Sequence, residues 1–573
     1  MTKQFLATFF AVLGLLSFGA PDRASATPQA FGSGLQICAA PLQPVTLAHP
    51  TTINDCTRSG IQAALDTGGQ INFSCGPNPV TIPIDSQLEL NPYTDTILDG
   101  GGLVTLDGGG TSRILHKGWH DPSKVDSVTI TLENLRFING KAPAGETTGD
   151  ISGGAINVGY PGTRLHIINS SFQNNSTTDV STTDNQGGAI FVHNAYETLI
   201  AGSLFENNTA GNGGAVGAIA SGMLFYNSRF IGNQAVDTSQ GGIVRGYGGA
   251  LHLDGVTNSY NPDSNRILYV CGSQFEENQA VRGGGATSSV VSDNKGIKAT
   301  FERSSFIHNT VTGIPDPEQS GDFLYGQGGA IYHIEDDHAD GSSEDNFEIR
   351  DSTFTLNEAR RQGGAVWISI LGLGRVINST FEGNTTTAPY NTVGQGGAMV
   401  ISLGKIDVIN TVFANNHAAY QAGALHGGSA DDPQRVITLT NSIFYNNTLN
   451  EQELPSSTEW QGYHTNRPMN DGGQNIQYPR LKPTYDNDVN NNVTVNPIYA
   501  DPELSALADN GGPTQTMALQ AGSPAIDAAS SVACLAVDQR GYLRQGLCDI
   551  GPYEFGGLPF VPSRFLFLPQ VYR

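Results

Sequence analysis

The chain is poor in charge, in basic residues above all, and in methionine and tryptophan. Charged residues make up 14 % of the 573 positions, and 29 Lys and Arg stand against 53 Asp and Glu, a formal net charge of −24. So acidic a chain is a poor match for nucleic acid or anionic lipid, because both require a basic patch. Partners that are neutral or cationic, or that bind through calcium, remain open. Five Met and three Trp beside 71 Gly indicate many turns and few helices.

Beyond the N-terminus there is no apolar run long enough to cross a bilayer. The first residues combine Lys3, the apolar stretch "FLATFFAVLGLLSFGA" and the small residues "ASA" at 24–26. This order is typical of an export signal, which we place at residues 1–26. A membrane anchor is the alternative, and it is disfavoured because Gly, Ser and Thr interrupt the short run.

Six cysteines in an exported chain predict disulfides. Cys56 and Cys75 flank one N-terminal unit, and Cys534 and Cys548 flank one C-terminal unit, so each pair is expected to close locally. Cys38 and Cys271 are far apart in sequence, and we expect them to stay free. Disulfides at both ends would stabilise a repeat array, since its terminal units have only one neighbour to pack against.

Two short blocks recur along most of the chain. The first is Gly-Gly-Ala followed by an apolar residue, and the second is Ser-x-Phe-x-x-Asn. The first begins at Gly153, Gly187, Gly213, Gly248, Gly328, Gly363 and Gly396, with weaker copies at Gly284 and Ala422. The asparagines of the second block are Asn175, Asn208, Asn233, Asn278, Asn309, Asn357, Asn384, Asn416 and Asn447.

Inside each block apolar residues alternate with variable ones, which predicts short strands rather than helices. Strand repeats of about 25 to 48 residues, joined by Asn and Gly turns, indicate an all-β solenoid. We therefore predict a parallel β-helix whose coils stack at ~4.8 Å. Its phenylalanines and alanines should line the core. Its asparagines should sit at a bend in left-handed conformation and hydrogen-bond from coil to coil as a ladder.

The two blocks together resemble the polymorphic outer membrane protein repeat of bacterial surface and secreted proteins. The resemblance covers about residues 135–450 and implies a right-handed, pectate-lyase-like β-helix at the cell surface or outside the cell, whose repeats we place at residues 131–450. Residues 27–130 resemble the capping helix and first coils of such proteins, with a helix at 61–65. Asp99 and Asp107 precede glycines there and are interpreted as turn formers rather than catalytic acids.

The repeat fades after residue 450. Residues 451–490 are polar and are predicted to form a loop or irregular coil. Residues 491–557 resemble the choice-of-anchor Q segment, which implies a closing module. Residues 558–573 then form a tail, either a sorting element or a capping strand.

Function on a β-helix sits on an exposed sheet face or in its loops. Loops after Asn175, Asn233, Asn309 and Asn384 are long, which predicts a row of excursions on one side. One residue after each Gly-Gly-Ala-apolar block should point outward and form a stripe that contacts saccharides or stabilises the sheet. The aromatic and imidazole members of this stripe are Phe191, His252, Tyr332, Trp367 and His426.

Candidate chemistry is sparse. Asp336 and Asp340 lie in an acidic stretch that partly matches a calcium loop, although His338 stands at a ligand position. No other cofactor is predicted. The leading hypothesis is a secreted or cell-surface adhesion module that binds an extracellular polysaccharide or a surface protein. A polysaccharide lyase or glycoside hydrolase, and a purely structural envelope protein, are the alternatives, and catalysis is disfavoured.

Overall fold

The computed structural model is a right-handed parallel β-helix with a short N-terminal cap. It describes residues 37–42, 46–47, 50–118, 121, 123–145, 147–159, 162–177, 184–237, 245–255, 267–291, 298–315, 324–335, 345–388, 394–428, 434–450, 463–480 and 492–559. Each coil places its strands directly over those of the preceding coil, so the strands form four columns. The predicted fold class is confirmed.

The first column begins with Leu88–Glu89 and Leu115–Lys117 and continues with the strands that follow the Gly-Gly-Ala blocks and their weaker copies. The latter are Ile156–Gly159, Ile190–His193, Val216–Ile219, Leu251–Asp254, Thr287–Val291, Ile331–Glu335, Leu425–His426 and the first halves of Val366–Ile377 and Met399–Ile409.

The second column comes next along each coil. Its strands are Thr51–Ile53, Gly69–Phe73, Thr163–Ile168, Glu197–Ala201, Met223–Tyr226, Ile267–Cys271, Lys298–Glu302, Asp345–Arg350, Arg435–Thr440, Asn470–Gly473, the first halves of Thr96–Asp107 and Val128–Ile138, and the second halves of Val366–Ile377 and Met399–Ile409.

The third column carries the phenylalanines. Its strands are Val80–Pro83, Ser171–Gln173, Leu204–Glu206, Arg229–Ile231, Gln274–Glu276, Ser305–Ile307, Thr353–Thr355, Thr380–Glu382, Val412–Ala414, Ile443–Tyr445, Ile476–Tyr478, Ile498–Tyr499 and the second halves of Thr96–Asp107 and Val128–Ile138.

A fourth, short column closes most coils. Its strands are Thr209–Ala210, Gln234–Ala235, Gln279–Ala280, Thr310–Val311, Glu358–Ala359, Thr385–Thr386, His417–Ala418 and Thr448–Leu449. The helices are Arg58–Thr67, which covers the predicted helix at 61–65, and Thr148–Ile151. Two antiparallel pairs follow the column, Leu504–Ala508 with Thr516–Leu519 and Tyr542–Leu543 with Leu558–Pro559.

The core is a continuous stack along the axis. Ten phenylalanine rings, from Phe137 to Phe444, lie one above another with neighbouring ring centroids 4.6 to 5.0 Å apart and planes within 16° of parallel. All ten are fully buried. The spacing equals the separation of hydrogen-bonded strands, so the strand register dictates the stacking.

The nine ladder asparagines lie buried just after the phenylalanine strands. In Asn208, Oδ1 accepts from the backbone N and from Nδ2 of Asn175, both at 3.0 Å. Its Nδ2 donates to Asn233 Oδ1 at 2.9 Å and to the Phe172 carbonyl at 3.0 Å. Every polar atom of the amide is therefore satisfied, which burial demands.

The left-handed residue at this bend precedes the ladder asparagine, contrary to the prediction that the asparagine itself adopts this conformation. Asn174 and Asn207 have φ of 55° and 56°, and the same place holds Leu356 at 56° in a later coil. Because the ladder side chain must point inward to reach the amides of the neighbouring coils, the residue before it adopts the left-handed conformation of the bend. The other bend, three residues before each phenylalanine, is left-handed in all nine repeat coils, Arg303 included at 48°.

Each Gly-Gly pair serves two different needs. Gly187 has φ of 65°, a conformation that favours glycine. A Cβ on Gly188 would lie 2.2 Å from the Gly214 carbonyl oxygen of the next coil and 2.6 Å from the Thr209 backbone N. The second glycine therefore lets the backbones of adjacent coils approach each other.

The predicted disulfides Cys56–Cys75 and Cys534–Cys548 are confirmed. The expectation that Cys38 and Cys271 stay free is wrong, because they form a third disulfide across 233 residues. Residues 37–42, the N-terminal arm, lie across the outer face of the second column and bring Cys38 to Cys271. Asn227 holds the arm as well: its Oδ1 accepts from Cys38 N at 3.0 Å, and its Nδ2 donates to Cys38 O at 2.7 Å.

The column continues beyond residue 450 into the predicted loop, where Asn470–Gly473 pairs with the preceding coil with one shift of register and Ile476–Tyr478 pairs without a shift. His464 ends the asparagine ladder, with Nδ1 3.1 Å from Asn447 Nδ2. Ile498–Tyr499 adds one more strand to the third column, and residues 500–559 then fold back along the side. Gln539 joins this C-terminal module to the third column, because its Oε1 accepts from Thr380 Oγ1 at 2.7 Å and its Nε2 donates to Thr353 Oγ1 at 2.9 Å.

Candidate functional site

The predicted stripe forms a single row on the first column. Backbone pairing aligns Phe191 with Gly217, and the row then passes through His252, Ser288, Tyr332, Trp367, Val400 and His426. These side chains alternate with inward-pointing core residues along each strand. Register thus brings together positions that lie up to 235 residues apart in sequence.

The row is far less exposed than the sequence analysis expected. Phe191 is 1 % exposed, His252 5 % and Tyr332 8 %, while Trp367 and His426 are half-buried. One cause is visible in the aromatic packing, since Tyr332 and Trp367 stack with centroids 4.9 Å apart and planes 13° from parallel. Their facing ring surfaces cover each other, so a saccharide would meet mainly ring edges there.

Tyr247 covers the row from the side. Its ring centroid lies 5.4 Å from that of Tyr332 and 6.3 Å from that of His252. Burial, together with the nearby Tyr325 hydroxyl, raises the pKa of Tyr247 to about 12, so this hydroxyl stays protonated at neutral pH. The sequence analysis missed Tyr247, although it directly precedes a Gly-Gly block and its position recurs in every coil.

Three polar groups in the row have no hydrogen-bond partner within the described part of the chain, and one of them is the indole nitrogen of Trp367. The other two are His252 Nδ1 and Ser288 Oγ, which stand on adjacent paired strands. Burial lowers the pKa of His252 to about 4, so its imidazole is neutral at physiological pH. Ser288 was missed because its block reads Gly-Gly-Ala-Thr and its side chain is small. Unpaired buried polar atoms are costly, which marks this part of the row as unusual for a structural core.

At the end of the row, His426 Nε2 lies 3.1 Å from Gln421 Oε1. Burial and the charges of Arg435 and Arg467 lower the pKa of His426 to about 4. At the opposite end, His116 Nδ1 lies 2.8 Å from Glu89 Oε2, in strands that align with the start of the row. The first column therefore carries an acid–imidazole pair ahead of the row, and the row ends with a neutral imidazole.

The predicted calcium residues Asp336 and Asp340 lie outside the described residues, so that site stays a prediction. Across the residues that are described, no group of three or more His, Cys, Asp or Glu side chains is arranged to hold a metal ion. Asp99 and Asp107 are confirmed as turn formers: their Oδ1 atoms accept from Gly101 N and Gly109 N, each at 2.9 Å.

The coils differ in length only in the chain segments immediately before and after each strand of the first column. From the left-handed bend after the second column to the ladder asparagine, all nine coils use a step of six residues, as from Asn169 to Asn175. The chain between the fourth and first columns varies, as does the chain between the first and second. The segments predicted as long loops, after Asn175, Asn233, Asn309 and Asn384, include residues outside the described ranges. Constant geometry elsewhere leaves the surroundings of the first column as the variable part of the molecule.

The part of the chain that the structure describes contains no helix of the length and apolarity needed to cross a membrane. Three disulfides fit a protein that folds in an oxidising compartment.

Comparison with known proteins gives one family match. Residues 169–193 match the Chlamydia polymorphic membrane protein repeat, a stretch that runs from a left-handed bend through the ladder asparagine to the next first-column strand. Among solved structures, the crystal structure of pectate lyase Pel9A is similar, with 13 % sequence identity and a TM-score of 0.23. The alignment covers 87 % of this chain and 90 % of the pectate lyase chain. No curated protein matches the chain. The chain thus carries a repeat of the polymorphic membrane protein type, built into a right-handed parallel β-helix.

Proposed function

We propose that this protein is a secreted or cell-surface interaction module that binds an extracellular glycan at the first column. The observation that carries the proposal is that the coils differ in length only in the chain segments before and after each strand of this column. Binding sites are commonly built from variable loops on a rigid scaffold. Here the ladder and the phenylalanine stack supply the rigidity.

The row between these loops supplies contacts suited to sugars. Trp367 is half-buried and remains accessible in part, and aromatic carbon with nearby hydroxyl and imidazole groups can contact both the C–H and O–H groups of a saccharide. The Trp367 indole nitrogen has no partner among the described contacts. A ligand that displaces neighbouring groups could accept that hydrogen bond.

Glycan-array binding tests the proposal. We expect Trp367→Ala to reduce binding at least about tenfold, and Trp367→Phe, which keeps the stack on Tyr332, to reduce it less. Tyr93→Ala is the matched control, because Tyr93 is an exposed aromatic residue in the N-terminal cap, away from the row. Thermal unfolding of each variant checks that the fold is intact.

The alternatives give different results. Release of reducing ends or of unsaturated products from a bound polysaccharide would replace the binding module by an enzyme. Equal binding by wild type and Trp367→Ala would refute the assigned site. No binding to any glycan, with the fold intact, would refute glycan recognition and favour a surface-protein partner or a purely structural role.

A further inference from the structure

A second candidate site lies on a different face of the molecule. A cleft of about 500 Å³ opens on the outer face of the third column, between the N-terminal arm and the C-terminal module. Its lining includes Arg229 and Arg303 from the column and Asp509 from the module. Ser305 and Gln274 also line it.

Arg303 is the unexpected residue. It occupies the left-handed bend where the other eight repeat coils have Asn, Gly or Asp, and its φ is 48°. A left-handed conformation is strained for a residue such as arginine, because its Cβ lies too close to the following carbonyl oxygen. Backbone outliers of this kind often mark functional positions. The side chain is 43 % exposed, and Nη2 lies 3.1 Å from Glu302 Oε1, which leaves other guanidinium donors for a ligand.

Arg229 is exposed on the third column two strands earlier. Its Nε donates to Gln274 Oε1 at 3.2 Å, a neutral partner that leaves its charge uncompensated by this contact. Two guanidinium groups in one cleft contrast with the net charge of −24 on the chain. Guanidinium groups bind carboxylate and sulfate through paired hydrogen bonds.

We propose that this cleft binds an acidic saccharide, meaning a short oligosaccharide that carries carboxylate or sulfate groups. The two arginines bind the anionic groups. The Ser305 hydroxyl and the Gln274 amide bind sugar hydroxyls. The site lies apart from the first column, so it can fail or succeed independently of the proposed function.

The test uses the full chain and pairs of oligosaccharides that share one backbone, with and without sulfate, in isothermal titration calorimetry. Arg303→Asn removes the guanidinium and places at the bend a residue that tolerates it, so the fold is not weakened. We expect Arg303→Asn and Arg229→Ala each to weaken binding of the sulfated ligand about tenfold or more, the loss of one charge-assisted contact. Lys298→Asn is the matched control, since Lys298 is exposed on the adjacent column and outside the cleft lining.

Affinity for the sulfated ligand should also fall as salt is raised from 50 to 500 mM, roughly as expected for screened charges. Equal affinity for the sulfated and unsulfated ligands, or unchanged binding by Arg303→Asn, would overturn the proposal. An acidic peptide that binds with arginine dependence while the saccharides do not would overturn the ligand class. Loss of neutral-glycan binding in Trp367→Ala but not in Arg303→Asn would show that the two sites are separate.

Discussion

Removal of one amide from the ladder gives the sharpest test of how the column is held together. Asn208→Ala deletes four hydrogen bonds of 2.9 to 3.0 Å, two accepted by Oδ1 and two donated by Nδ2. At about 1 kcal/mol for each bond, the loss is about 4 kcal/mol, and the stranded groups on Asn175, Phe172 and Asn233 add to it. Such a loss is large for a single substitution.

Asn207→Gly is the matched control, because Asn207 is exposed, precedes Asn208 and has a φ of 56° that glycine adopts freely. We expect this change to alter the unfolding free energy by less than about 0.5 kcal/mol. Guanidinium unfolding followed by far-UV circular dichroism measures both variants. Hydrogen exchange at Phe172 and its neighbours locates the effect, since repeat arrays can unfold in parts. A loss below about 1 kcal/mol for Asn208→Ala would refute the view that the ladder stabilises the stack.

Three other predictions concern strain and protonation. Leu356→Asn should raise the unfolding free energy by about 1 kcal/mol, because asparagine tolerates the φ of 56° that leucine resists, and an unchanged midpoint would contradict this. Burial lowers the pKa of His464 to about 4, so this residue alone should lower wild-type stability by about 3 kcal/mol between pH 6.5 and pH 4, as only the unfolded state takes up its proton, and the buried His252 and His426 add to the fall. His464→Gln should reduce the fall by about 3 kcal/mol, and a pH profile parallel to that of the wild type would disprove it. Burial raises the pKa of Asp351 to about 6, so ionisation of this carboxyl group destabilises the folded state as pH rises from about 4 to 6. Asp351→Asn should therefore stabilise the protein by up to about 3 kcal/mol at pH 8 and lose this part of its advantage below pH 4.

The fold could be read from the sequence because each coil repeats the same local rules. Period-two alternation gave the strands, and the recurrence of phenylalanine and asparagine at fixed spacing gave the stacking register. The helix at Arg58–Thr67 and the two local disulfides follow from signals within a few tens of residues.

Long-range and polar features were harder to predict. Nothing near Cys38 indicates that the N-terminal arm returns to Cys271, because the pairing depends on the path of a segment outside the repeat. The burial of Tyr332 depends on Trp367 above it and Tyr247 beside it, which period-two alternation does not report. The export signal, the sorting tail and the choice-of-anchor Q resemblance remain predictions.

The account depends most on successive coils stacking in strict register. A crystal structure of the full chain measures this directly through the centroid distances between Phe172, Phe205 and Phe230. We predict one continuous stack with neighbouring rings 4.8 to 4.9 Å apart. Rings that point into separate pockets, or neighbouring coils offset by a residue, would contradict the row on the first column and both proposed sites.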